Sequence, residues 1–192
     1  MHLLEPHYAW EGLYQASADP RSPLFGAEND LNAYTNTIYG YYIHPQWDPL
    51  ASRTLFLKIL FADYDADHVA IIEFIGEWND AIENDVMNLK RLIIDPLIQE
   101  GIVRFILVGE NVFNFHGSDD EYYAEWFDDI DDEGGWIAAV GFQEHVYREM
   151  QQYHLDQYLH FGGQFDTLAW RTFSPIQLAG VIEGIIQRRL AA

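Results

Sequence analysis

From Thr54 onward, short apolar runs alternate with segments of helical period, and this alternation limits the fold more than any other feature of the chain. Leu55–Phe61 and Val69–Ile75 are β-type runs on either side of Ala62–Asp67, which reads as a hairpin. Asp80-Ala-Ile-Glu83 then has the form of a capping box. Apolar positions 82, 86, 89, 93 and 97 follow at helical spacing, and Pro96 should bend or restart that helix. Ile102–Val108 is a nearly continuous apolar run, as a strand buried on both faces requires. Ser118-Asp-Asp-Glu121 is a second capping box, with Tyr123, Trp126, Phe127 and Ile130 on one face and Gly134-Gly135 as the stop. Trp136–Phe142 reads as a third buried strand, and 143–158 as a helix with Val146, Met150 and Tyr153 facing inward. A short strand is expected near His160-Phe161. Ser174-Pro-Ile-Gln177 opens the last helix, which Val181, Ile182, Ile185 and Ile186 would pack down. The order is hairpin, α, β, α, β, α, short β, α. It predicts a mixed α/β fold with a mostly parallel sheet, an N-terminal β-hairpin and four helices, joined by right-handed crossovers.

Residues 1–52 are different: turn formers (Asp19-Pro20, Ser22-Pro23, His44-Pro45, Asp48-Pro49) are mixed with scattered aromatics. Only Thr37–Ile43 has strand character. We read 1–52 as an extension packed on an α/β domain spanning 53–192, its aromatics serving as anchors. The functional alternative is an exposed partner-binding patch. For Tyr39-Gly-Tyr41-Tyr42, core or edge-strand packing is the more usual fate than a ligand groove.

Composition narrows the function. The 192 residues carry 31 acidic and 10 basic side chains, a net charge of −21, which excludes a nucleic-acid partner because no basic footprint exists to displace counterions. With no Cys, there are no disulfides, thiolate nucleophiles or Cys-based metal sites. Lys occurs only at 58 and 90. So acidic a surface suits concentrated salt, where self-repulsion is screened; an ordinary acidic cytosolic protein is the other reading. No signal-like N-terminus and no membrane-length apolar run is present, so a cytoplasmic location is expected.

The arrangement over roughly residues 54–190 resembles a STAS domain, the module shared by sulfate transporters and anti-sigma-factor antagonists. Ile72-Glu-Phe-Ile-Gly-Glu77 is similar to that family's strand ending in Gly-Glu-Leu. Val103–Phe115 resembles the strand leading to its phosphoacceptor loop, and 143–161 the helix followed by a short strand. Where the family reads Asp-Ser-Ser-Gly, this chain has His116-Gly117-Ser118-Asp119, so only Ser118 stands at a family Ser, the second one. The resemblance implies a regulatory or interaction module without the usual phosphorylated Ser.

The densest polar set follows the 102–108 run: Glu110, Asn111, Asn114, His116, Ser118, Asp119 and Asp120. Ligands of open α/β sheets bind beyond the carboxyl ends of strands, which makes these seven the candidate ligand- or partner-binding residues. A capped helix with a solvated acidic first turn is the simpler account of Ser118 to Glu121. Glu110 with Glu73 or Glu77 could form an acid/base pair if their strands are neighbours. The His spacing matches no metal-ligand motif, and no nucleophile elbow, phosphate loop or Ca²⁺ loop is present. We therefore assign no catalytic residue, metal or cofactor. The expected function is a regulatory or protein-interaction module binding a protein partner or itself. A small-ligand or metal-dependent enzyme built on residues 110–120 is the alternative.

Overall fold

The computed structural model describes residues 4–191. Six strands form one sheet, in which sequence neighbours are also spatial neighbours: β3 (Asp48–Pro49), β4 (Leu55–Asp63), β5 (Val69–Asn79), β6 (Arg104–His116), β7 (Trp136–Val140) and β8 (Leu159–His160). β3, β4 and β5 pair antiparallel, whereas β5 through β8 run parallel. The mixed, mostly parallel α/β architecture expected from the sequence is the one found.

Period-two alternation gives the sheet two apolar faces. Ala70, Ile72 and Phe74 of β5 face one cluster, with Val86 and Leu89 of α1 (Asp85–Leu89), Leu97 of α2 (Asp95–Gln99), Trp126 and Ile130 of α3 (Glu121–Asp131), and Val146 and Met150 of α4 (Glu144–Gln152). On the other face, Val69 and Ile71 meet Leu178, Ile182 and Ile186 of α5 (Pro175–Leu190), together with Trp10 and Trp170. Further along that face, Ile75 and Phe56 pack under Ile38, Ile43 and Trp47. Of the N-terminal aromatics expected to anchor, Trp10 and Trp47 are buried against the sheet, whereas Tyr8 and Phe25 are exposed.

Several local expectations are corrected. Thr37–Ile43 is not one strand but a hairpin, β1 (Thr37–Ile38) against β2 (Tyr41–Tyr42), reversed at Tyr39 and Gly40, both with positive φ as a type I′ turn requires. Asp80 does not cap a helix beginning at 81: α1 starts at Asp85, Asp80 is buried in the core, and Ile82 is exposed. Pro96 restarts the helix as expected: α1 passes through a π turn at Lys90–Ile94, and α2 begins at Asp95 with Pro96 in its first turn, where its missing N–H needs no partner. Ser118 is exposed and caps nothing; Asp120 holds the N-cap position of α3. Helix 143–158 ends at Gln152, and Tyr153 is exposed rather than inward-facing. The third buried strand stops at Val140. The 174–177 capping box forms as expected.

Candidate functional site

The central correction concerns β6. It runs to His116 rather than ending at Val108, so Glu110, Asn111, Asn114 and His116 lie within the strand and not in a loop beyond it. Its register against β5 shifts twice, once between Glu73 and Ile75 and once between Gly76 and Glu77, giving β6 one extra residue each time. Bulges of this kind re-aim side chains. The candidate residues do not converge on one site: Glu110 joins one cluster, and Asn114 and His116 another.

Glu110 turns to the face carrying Trp10 and Trp170. Its Oε1 accepts from Trp170 Nε1 at 2.7 Å, and its Oε2 accepts from Arg171 Nη2 at 2.7 Å and Nε at 3.0 Å. Glu73 lies on the same face between Ile71 and Ile75, fully buried. Its Oε2 accepts the backbone N–H of His7 at 2.7 Å, and Oε1 faces Arg171 Nη2 at 3.4 Å. The expectation that Glu110 and Glu73 could approach is therefore met through Arg171. Burial pushes the Glu73 carboxyl up to about 7, against the pull of the His7 N–H and Arg171. Arg171 also donates to His7 Nδ1 at 3.1 Å, which leaves the His7 proton on Nε2 in the neutral ring; burial, then Arg171, holds that ring below its ordinary pKa. His7 stands edge-on to Trp10 and Trp170, with ring centroids 4.8 and 4.9 Å away. Nothing in the local sequence marks His7 or Arg171; they arrive from 66 residues before and 98 residues after Glu73.

Asn114 and His116 meet Glu77 instead. Asn114 Nδ2 donates to Glu77 Oε1 at 2.9 Å, His116 Nε2 lies 3.9 Å from Oε2, and the Tyr39 hydroxyl donates to Oε2 at 2.6 Å. The strand ending in Gly76-Glu77 depends on that glycine. Gly76 has φ +118, and a Cβ there would sit 1.9 Å from the Thr54 carbonyl oxygen. Asp120 accepts from the Tyr158 hydroxyl at 3.0 Å, and Asp119 from the Glu121 N–H at 3.3 Å. Asn111 is half-buried in β6. Gly117, where the resemblance places the phosphorylated Ser, is roofed by Tyr153, whose ring lies 2.4 Å from a Cβ built there.

Two further polar clusters lie outside the sequence expectation. Asp80 accepts from Trp78 Nε1, Val86 N and the Tyr123 hydroxyl at 3.0, 2.8 and 2.7 Å, tying β5 to α1 and α3. Burial raises its carboxyl to about 7 and that of neighbouring Asp85 to about 6. In the π turn, the fully buried Lys90 ammonium is held by Asp95 and by Asp129, the latter at 2.6 Å, with Glu125 at 3.5 Å. These three carboxylates could ligate a metal by their spacing, but the ammonium already supplies the positive charge they require. Among the described residues, no helix is long and apolar enough to cross a membrane.

No protein-family model matches the chain, and no curated protein matches it. Among solved structures, it is similar to the anti-sigma-factor antagonist SpoIIAA in its unphosphorylated form, at 12% identity and a TM-score of 0.42, over 56% of this chain and 89% of that one. At this distance the likeness assigns neither family nor function.

Proposed function

We propose that the chain is a non-catalytic regulatory module that acts by binding a protein, residues 1–52 forming an extension on the 53–192 domain and supplying the contact face. The exposure of the tyrosine hairpin carries this reading. Tyr39, Tyr41 and Tyr42 are 66%, 60% and 48% exposed, against the core or edge packing their sequence suggested. A two-residue type I′ turn holds them, so little conformational freedom remains to lose on binding, and tyrosine supplies much contact area for few rotatable bonds. Beside them, Ile38, Ile43, Ile75 and Phe113 line a small apolar socket.

Charge selects the partner. On a chain of net charge −21, with Glu77 next to the hairpin and Glu83 paired there with Arg53, a basic protein surface is complementary, and its Arg or Lys side chains can stack on the tyrosines. The polar clusters support a non-catalytic role. Both oxygens of Glu73 and of Glu110 face protein donors, and the Glu77 oxygens are taken by Asn114 and Tyr39. Within residues 110–120, Glu110 is bound to Trp170 and Arg171, and Asp120 to Tyr158.

The test places benzoylphenylalanine at position 41 of the full chain for photo-crosslinking in source-cell extract. The expected product is a basic protein, its yield falling with added KCl and again in the Tyr42→Ser variant. A product consisting of a second copy of the chain, or one unaffected by salt and by Tyr42→Ser, overturns the reading.

A further inference from the structure

The small socket beside the tyrosine hairpin combines an apolar wall with one carboxylate that no basic side chain neutralises. It has a volume of about 110 Å³ and lies between the β1–β2 hairpin and strands β5 and β6. Ile38, Ile43 and Ile75 line it, all three buried in one apolar cluster. The side chains of Tyr39, Tyr41 and Phe113 bring three aromatic rings to it. Among the described residues, Glu77 is the one charged group in the wall, and its side chain is only 15% exposed. Its oxygens accept from the neutral donors Asn114 Nδ2 and Tyr39 hydroxyl at 2.9 and 2.6 Å, and His116 Nε2 stands 3.9 Å away. Arg53 is paired with Glu83 instead. The neutral donors occupy lone pairs but leave the charge of the carboxylate in place.

Each feature narrows the occupant. The carboxylate and the aromatic rings both attract a cation, and Coulomb attraction requires no aligned lone pair. The apolar wall disfavours a cation that carries N–H donors, because each donor taken from water would need an acceptor. A Lys ammonium brings three such donors and an Arg guanidinium five, whereas the socket offers only Glu77, already holding two donors, and the tyrosine hydroxyls. A quaternary ammonium has no N–H and presents methyl groups, so the wall that rejects the others suits it. Apolar cavities of about 150 Å³ admit benzene, which leaves room here for the four heavy atoms of a trimethylammonium head. We propose that this socket binds a quaternary ammonium head group, its methyls against Ile38, Ile43 and Ile75 and its charge balanced by Glu77. That head group is the shared chemistry of a choline-type small molecule and of a trimethylated lysine on a protein partner. The site adjoins the proposed contact face but rests on its own geometry, so either assignment can fail alone.

The test titrates the full chain, ¹³C-labelled at the isoleucine δ1 methyls, with three probes. These are choline, its neutral carbon isostere neohexyl alcohol, and ethanolamine, which keeps the charge but not the methyls. The three socket signals are identified by their loss in Ile38→Val, Ile43→Val and Ile75→Val. Choline should shift them saturably with a Kd on the order of 1 mM, and the other two probes should bind about tenfold more weakly. In Glu77→Gln, which keeps the size and removes the charge, choline should bind no better than neohexyl alcohol. The three-probe comparison on the unaltered chain stands even if that variant does not fold. Nα-acetyl-trimethyllysine N-methylamide binding more tightly than choline assigns the site to a protein side chain, and binding no more tightly assigns it to a free small molecule. No saturable shift, either control probe binding as tightly as choline, or shifts confined to other isoleucines overturns the proposal.

Discussion

Glu73 shows how one residue's environment sets a property of the whole fold. Its carboxyl titrates near 4.5 when exposed and about 7 when folded, because burial disfavours the charged form more than His7 and Arg171 favour it. The native state therefore binds a proton that the unfolded state has released between about pH 4.5 and 7. Stability falls as pH rises through that window, by up to about 3 kcal/mol for this group. Asp80 and Asp85, raised to about 7 and about 6, act in the same direction. Glu73→Gln resembles the protonated form, so it should leave the urea midpoint nearly unchanged at pH 4, below the window, and raise it at pH 8, flattening the pH profile. Equal destabilisation at both pH values would mean that the ionised carboxylate is what the fold requires. His7 and Arg171 were beyond the reach of the sequence, since no periodicity or spacing links positions 7, 73 and 171. Glu110 and Glu73 were within reach, because a strand buried on both faces exposes its lone acid as an anomaly.

Among the elements, two helix starts separate what a local pattern can tell from what it cannot. Ser174 accepts the Gln177 N–H and Gln177 returns the bond to the Ser174 N–H, so both halves of that box are made. Ser118 begins the same pattern, yet Asp120 holds the N-cap position, Tyr158 occupies Asp120, and Ser118 faces solvent. Ser174→Ala should cost about 1 kcal/mol in chemical denaturation, whereas Ser118→Ala should cost a few tenths at most. Equal losses would restore Ser118 as the cap. The π turn supports a second prediction. Lys90→Met fills the same space but leaves Asp129 without its cation, and Asp95 and Glu125 with Arg91 alone. Since these carboxylates are partly exposed, the expected loss is about 2 kcal/mol rather than the 3–5 of a fully buried pair. A neutral result would show that the ammonium only fills volume.

Over the whole molecule, charge dominates. A net charge of −21 on a folded chain of this size places many carboxylates within a Debye length of one another, about 10 Å at 0.1 M salt. Melting temperature should rise steadily from about 0.1 M to above 1 M KCl. The neutralised control replaces Asp128, Asp131, Asp132 and Glu133, which are exposed at the carboxyl end of α3, and spares Asp129, which holds Lys90. Removing acids from a helix carboxyl end stabilises at any salt, so the slope against KCl is the quantity compared. A flat profile, or one equally steep in the control, would show that the acidity is incidental.

The order of strands and helices, the hairpin of β4 and β5, the box at 174–177 and the inward stripes of α3 and α5 were all legible in the chain, because periodicity and capping depend on residues within a few positions of each other. The two bulges of β6 were not, since a bulge is defined only against a partner strand. Equally hidden was that Glu110 joins Arg171 while Asn114 and His116 turn to Glu77. Nor could the pattern separate buried from exposed aromatics in the first 52 residues: Trp10 and Trp47 found space against the sheet, and Tyr39, Tyr41 and Tyr42 did not. Burial is a property of what arrives from elsewhere in the chain, and long-range packing alone determined which polar and aromatic groups are satisfied inside the fold and which are left facing outward.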